Sequence, residues 1–118
     1  MKLIEIKEIL NCREVCENPN LDIDIEFTCA SDLMSDLLAY ARSGALLLTG
    51  LIHNNVIRTC EITEICAVIF VRGKEPPKET IKFAQKCRIP ILVTDMTKFE
   101  ACGLLYSKGI KSIPYKKD

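Results

Sequence analysis

The feature that most constrains the fold of this chain is a set of three short apolar runs separated by amphipathic segments. The runs are residues 45–50, 67–73 and 89–95, and they close on a glycine, a glycine and an aspartate, respectively. Strands of a parallel sheet that is covered on both faces have this continuous apolar character, because both sides of each strand are buried. The runs therefore predict three central parallel strands.

The segments between and after these runs have the spacing of helices. They are residues 54–65, 78–87 and 98–107. In the second segment, Ile81, Ala84 and Cys87 recur at three-residue intervals among lysines, which is the pattern of an amphipathic helix. Thr97 precedes the third segment as a predicted N-cap, and Gly109 predicts its end. Alternating strands and helices predict an α/β fold with a mostly parallel sheet and helices on both faces.

The first part of the chain is less regular. Residues 3–10 predict a short amphipathic helix, and residues 13–16 a short strand. Ile23, Ile25 and Phe27 alternate with acidic residues, which predicts a half-buried strand. Ser31 or Asp32 is the predicted N-cap of a helix that continues to residue 42. We expect one domain with an N-terminal helix and edge strands (1–30), a βαβ core (31–110) and a short tail (111–118), which either pairs at a sheet edge or frays.

Charge and cysteine content argue against several classes of function. The chain has 16 basic and 16 acidic residues, so no excess positive charge attracts nucleic acid. The seven cysteines are odd in number and scattered, and no secretory signal precedes them, which predicts the reducing cytoplasm. We expect no metal and no cofactor, because close cysteine pairs are absent and there is one histidine. No apolar run reaches the roughly 18 residues that would predict a membrane helix.

Polar residues and glycines follow each of the three predicted strands. In open parallel sheets, ligands bind at this end, where helix N-termini present free N–H groups. The candidate ligand-binding residues are Thr49, Gly50, His53, Asn54 and Asn55 after the first strand, Arg72 and Gly73 after the second, and Thr94 and Asp95 after the third. The loop from Thr49 to Asn55 can form an anion-accepting site. Alternatively, Asn54 or Asn55 caps its helix and Gly50 relieves a tight turn.

No set of residues predicts catalysis. The glycine-rich phosphate motifs of kinases and dinucleotide enzymes are absent. His53 would need Asp95 or Asp32 close by to act as a general base. Cys29 is the cysteine best placed to act as a nucleophile, although such residues are also common in cores. We therefore predict no catalytic residues and no enzymatic activity.

Several segments also resemble the DRTGG domain family. The resemblance lies in residues 31–39, 46–51, 56–59, 68–74, 89–92 and 99–106, so it extends over nearly the whole chain. It is greatest to the small free-standing members. The pentapeptide that gives the family its name is absent here.

The resemblance implies an α/β fold like the N-terminal domain of the HPr kinase/phosphorylase, without the separate domain that carries the P-loop of that enzyme. It also implies a regulatory or dimerisation role, since such domains occur beside nucleotide-binding CBS domains in regulatory pyrophosphatases. Free-standing members are often encoded near iron-only hydrogenase or redox-sensor genes, which implies a protein partner in such a system.

Two functions remain open at this point. The first is a non-enzymatic regulatory module, forming a homodimer, that senses a nucleotide, a phosphorylated metabolite or another small anion at the strand ends. The second is a protein-interaction scaffold of a hydrogenase or redox-sensor system that binds no small molecule.

Overall fold

Helices and strands alternate along the chain in the computed structural model, which describes residues 1–114. The helices are α1 (Leu3–Ile9), α2 (Met34–Tyr40), α3 (Asn54–Thr63), α4 (Lys78–Lys86) and α5 (Lys98–Ser107). The strands are β1 (Arg13–Glu14), β2 (Phe27–Ala30), β3 (Leu46–Thr49), β4 (Ala67–Phe70), β5 (Ile91–Val93) and β6 (Lys111–Ser112).

The strands form one sheet in the order β1-β5-β4-β3-β2-β6. The pairs from β5 to β6 are all parallel, and β1 adds an antiparallel edge next to β5. All four residues of β3 and of β4 are buried, as are the three of β5. The predicted α/β class and the three central parallel strands are therefore confirmed.

The direction of each strand connection decides which face of the sheet a helix covers. From β2 to β5 every step goes to the next strand on the same side, so right-handed crossovers place α2, α3 and α4 on one face. On that face, Leu47 and Phe70 belong to one apolar cluster with Val56 of α3. The chain then returns from β5 to β6 along the other face, where Leu48 and Ala101 belong to a second cluster with residues of α1.

The connections that follow β4 and β5 diverge at one end of the sheet. The chain leaves β4 towards α4 on one face, whereas it leaves β5 towards α5 on the other. Ligands of open α/β sheets bind where neighbouring connections diverge in this way. The polar residues predicted from the sequence follow these strands.

The second strand begins later than the alternating pattern predicted. A strand over residues 23–27 is wrong in its bounds, because β2 covers Phe27–Ala30. The backbone before it meets the start of the chain instead, since the Leu3 N–H donates to Ile23 O at 2.9 Å and the Ile25 N–H to Met1 O at 2.7 Å. Ile25 is buried in the core beside α1, which explains the alternation. β2 is also not an edge strand, because β3 and β6 flank it.

Helices α3, α4 and α5 begin at the residues predicted, 54, 78 and 98, but only one of three predicted N-cap assignments agrees with the structure. Thr97 caps α5 as predicted, accepting a hydrogen bond from the Glu100 N–H at 3.2 Å. The predicted cap of α2 is wrong: the N-cap is Leu33, and the helix ends at Tyr40 rather than at residue 42. The N-cap of α3 is His53, not either of the two asparagines that follow it, and no side chain caps that helix.

The C-terminal tail pairs in part. Its first two residues form β6, which lies parallel to β2 at the sheet edge. Residues 113 and 114 follow without regular secondary structure, and residues 115–118 of the predicted tail lie outside the described residues. Among residues 1–114, no helix has both the length and the apolar character needed to cross a bilayer.

Candidate functional site

The carboxyl ends of four adjacent parallel strands, β2 to β5, lie side by side at one end of the sheet. Thr49 and Gly50 stand at the end of β3, and Arg72 follows β4. Asp32 follows β2 in the same row, because β2 ends at residue 30 rather than at 27. The site at these strand ends thus includes a carboxylate that was not among the predicted ligand-binding residues.

Asp32 is bound to the loop that follows β3. Its Oδ1 atom accepts hydrogen bonds from the Gly50 N–H at 2.8 Å and from the Thr49 hydroxyl at 3.0 Å. Lys98, the first residue of α5, places its Nζ atom 3.0 Å from the same oxygen. The loop therefore holds an anionic group, and that group is a side chain of the protein itself.

The contacts of Asp32 alter its acidity. Partial burial raises the pKa of this carboxyl, but the Gly50 N–H, Lys98 and Thr49 all favour the charged form, and the net effect is a pKa below the ordinary value. The side chain is still 48% exposed. Asp32 is thus a charged, partly solvated carboxylate at neutral pH.

Arg72 lies beside this cluster with a free charged group. A Cβ atom placed on Gly50 would be 3.3 Å from Arg72 Nη2 and 3.6 Å from Asp32 Oδ2, so both side chains border the glycine. Arg72 is exposed and forms no ion pair within residues 1–114. Its φ of 58° is left-handed, which costs a non-glycine residue about 1 kcal/mol or more. Such strain is common at binding sites.

Gly73 and Asp95 belong to a second, separate cluster. Arg13 of β1 donates to Asp95 Oδ1 at 3.1 Å, to Glu75 Oε1 at 2.8 Å and to Gly73 O at 3.4 Å. Gly73 has a φ of +65°, and a Cβ there would lie 2.9 Å from Asp95 Oδ1, so only glycine fits without displacement. The Asp95 carboxylate is therefore engaged at the β1 edge.

The other predicted site residues make structural contacts or none. Thr94 is buried, and its hydroxyl donates to Leu10 O at 2.6 Å, which joins β5 to the end of α1. Asn54 accepts from the Thr80 hydroxyl at 2.6 Å and so joins α3 to α4. His53 and Asn55 are exposed, and their side chains make no hydrogen bond within the part of the chain that the structure describes.

The residues considered for catalysis do not form a reactive group. Burial raises the pKa of the Cys29 thiol to about 11, so this sulfur is protonated near neutral pH. Asp32 and Asp95, the acids considered as partners of His53, are engaged by Lys98 and Arg13. Across residues 1–114, no three potential metal ligands are grouped so as to hold an ion.

A cavity of about 330 Å³ lies beside β2 and β6, on the side of the sheet away from β1. It is bordered by Thr28 of β2, Tyr40 of α2, Tyr106 of α5 and Lys111 of β6. None of the nine predicted site residues lines it. The cavity thus includes Ala30 at the end of β2 but none of the loops that follow β3, β4 and β5.

The sequence did not point to Asp32 or Lys98 as members of the site. Asp32 was assigned to a helix cap because the preceding strand was placed too early. A strand predicted to end at residue 30 would have placed Asp32 beside the loops that follow the other parallel strands. No local signal could have found Lys98, because it reaches Asp32 from α5, which follows β5 in the chain and covers the other face of the sheet.

No family model matches this sequence, and no curated protein matches it either. The fold, however, is similar to a crystal structure of the CBS and DRTGG domains of the regulatory region of Clostridium perfringens pyrophosphatase, complexed with the activator diadenosine tetraphosphate. The TM-score is 0.68 at 18% sequence identity, over 88% of this chain. This chain spans 45% of the length of that one. The chain therefore has a DRTGG-like α/β fold.

Proposed function

We propose that this chain is a non-enzymatic regulatory module that senses a small anionic ligand at the carboxyl ends of β2, β3 and β4. The observation that carries the proposal is the exposed guanidinium of Arg72, which borders Gly50 and has no ion-pair partner among residues 1–114. Guanidinium groups bind phosphate and carboxylate through paired hydrogen bonds. Lys98 supplies a second cation within the same cluster.

A nucleotide or phosphorylated metabolite is the ligand class that we favour. The structurally similar regulatory region was crystallised with a dinucleotide activator, and that likeness of fold supports a ligand of the same class here. The site lies at the carboxyl ends of parallel strands, the end of the sheet at which α/β proteins bind ligands. We place its action in the cytoplasm, in keeping with its seven free thiols.

A thermal-shift screen of the purified protein against nucleotides, phosphorylated metabolites and simple anions tests this proposal. A ligand at 100 times its Kd stabilises the native state by about 2.7 kcal/mol. For 118 residues the entropy of unfolding is about 0.25 kcal/mol per degree, so the expected rise in Tm is about 10 °C.

Arg72→Ala should abolish this rise, and Arg88→Ala is its matched control. Both residues are exposed arginines with left-handed backbones, at φ values of 58° and 59°. Arg88 precedes β5 and so lies at the opposite end of the sheet. Equal loss of the shift in both variants, or no shift with any compound, would count against the proposed site.

The second candidate function is a protein-interaction scaffold that binds no small molecule, and the homodimer that we propose for the regulatory module would use the same kind of surface. Apolar side chains of α2 and α5 are exposed, among them Leu38 at 55%, Phe99 at 88% and Tyr106 at 74%. Such residues favour a surface that a second copy or a protein of a redox system covers. Sedimentation equilibrium of the wild type and of Phe99→Ser tests the homodimer. A wild-type protein that sediments as a monomer would rule out the homodimer.

A further inference from the structure

Asp32 occupies the donors that an incoming anion would need. We infer that Asp32 is an internal competitor of the ligand, so that the site is closed by the protein's own carboxylate and opens when an anion displaces it. This inference rests on the proposed function, since it concerns the regulation of the same site.

The geometry of the contacts is that of a bound anion. One oxygen, Asp32 Oδ1, receives the Gly50 N–H at 2.8 Å, the Thr49 hydroxyl at 3.0 Å and Lys98 Nζ at 3.0 Å. A phosphate oxygen in this place would receive the same three donors, because phosphate and carboxylate oxygens accept charge-assisted hydrogen bonds in the same way. Arg72 Nη2, against Gly50, would then be available to a second oxygen of the ligand.

The carboxylate can leave without disrupting the core. Asp32 is 48% exposed, and Lys98 is 35% exposed, so their ion pair is partly solvated and contributes little to stability. Asp32 lies in the short connection between β2 and α2 and is not the N-cap of α2, which is Leu33. Its release therefore breaks no helix cap, and the two buried donors that it leaves, the Thr49 hydroxyl and the Gly50 N–H, are those that the anion would take over.

Displacement of Asp32 would also change the outer surface of the protein. Residues 31–33 form a turn in which the Leu33 N–H donates to the Ser31 hydroxyl at 3.0 Å. This turn leads into α2, and the Leu33 side chain beside it is 57% exposed. A ligand that moves Asp32 would thus reposition an exposed apolar residue, which links ligand binding to a surface that a partner can contact.

The test is calorimetric titration of the full chain with inorganic pyrophosphate. Asp32→Asn keeps the size of the side chain but removes its charge, and a charged hydrogen bond is about twice as strong as a neutral one. We expect Asp32→Asn to bind about tenfold more tightly than the wild type. Asp36→Asn, on α2, makes the same change in net charge and should bind within about twofold of the wild type.

The outcomes separate this inference from the proposed function. If Asp32→Asn binds pyrophosphate no more tightly than the wild type does, while Arg72→Ala fails to bind it, Asp32 is not a competitor. The proposed anion site would then still hold. Absence of binding by both the wild type and Asp32→Asn would overturn both. Equal tightening by Asp32→Asn and Asp36→Asn would show a general charge effect and also overturn the competition. Asp32→Ala, which removes the acceptor altogether, should bind at least as tightly as Asp32→Asn and serves if the latter misfolds.

Discussion

Two threonines of this fold should respond in opposite ways to the same substitution. Thr94 is buried, and its hydroxyl donates to Leu10 O at 2.6 Å. Thr28 also has a buried hydroxyl oxygen, but that oxygen has no hydrogen-bond partner in the described part of the chain. Replacing each threonine by valine exchanges the hydroxyl for a methyl group. We expect Thr94→Val to destabilise the protein and Thr28→Val to stabilise it.

The size of each stability change follows from the hydrogen-bond partner that the threonine hydroxyl has or lacks. Thr94→Val leaves the carbonyl of Leu10, itself a buried residue, without its donor, which costs about 1 to 3 kcal/mol. With an unfolding entropy of about 0.25 kcal/mol per degree for 118 residues, the Tm should fall by about 4 to 12 °C. Thr28→Val removes an unsatisfied hydroxyl from a strand, where valine is favoured, and should raise the Tm by a few degrees, or about 1 kcal/mol.

Thermal and urea unfolding followed by circular dichroism would measure both effects. Because Thr94 faces α1 rather than the strand-end site, Thr94→Val should also leave anion binding unchanged. A Thr94→Val variant as stable as the wild type, or a Thr28→Val variant that is destabilised by more than about 1 kcal/mol, would refute the assignment of these hydroxyl groups.

Three further predictions concern the strand-end loops and the core thiols. Gly73→Ala should lower the free energy of unfolding in urea more than Gly44→Ala does. Both glycines have positive φ, but only the new Cβ at residue 73 meets Asp95. Equal destabilisation by the two variants would contradict the close approach of Asp95 to Gly73. The pKa of Asp32 is lowered in the folded state, so its charged form stabilises the protein above the unfolded pKa of about 4, and this contribution is lost as the pH falls through the folded pKa. Asp32→Asn should therefore flatten the acid limb of the stability profile, and an unchanged limb would argue against the contacts described for Asp32. Burial raises the pKa of Cys60 to about 12, so mass spectrometry should find this thiol alkylated at pH 8 only after unfolding, and rapid labelling of the native protein would contradict its burial.

The central strands were predictable because strands buried on both faces appear in the sequence as continuous apolar runs. Each of β3, β4 and β5 is buried along its whole length, so every residue except Thr49 at the end of β3 is apolar. The strand near residue 25 was misplaced for a related reason. The alternation around Ile25 does report one-sided burial, but the backbone there meets the start of the chain rather than the sheet. Periodicity identifies a buried side chain without identifying what buries it.

The candidate site was predictable in position but not in its contacts. The rule that ligands bind at strand ends selected Thr49, Gly50 and Arg72, which the structure brings together. It also selected Thr94, whose side chain points to α1 instead, because sequence does not tell which face a strand-end residue takes. Lys98 escaped detection because its partner is set by the path of α5 across the sheet.

The most direct test of the proposed site is an amide-resolved NMR titration of the ¹⁵N-labelled protein with inorganic pyrophosphate. We predict that the largest shift changes fall on Gly50, whose N–H now donates to Asp32, together with the loops that carry Arg72 and Lys98. Changes confined to the cavity between Tyr40 and Tyr106, or no changes at all, would contradict a ligand site at the strand ends.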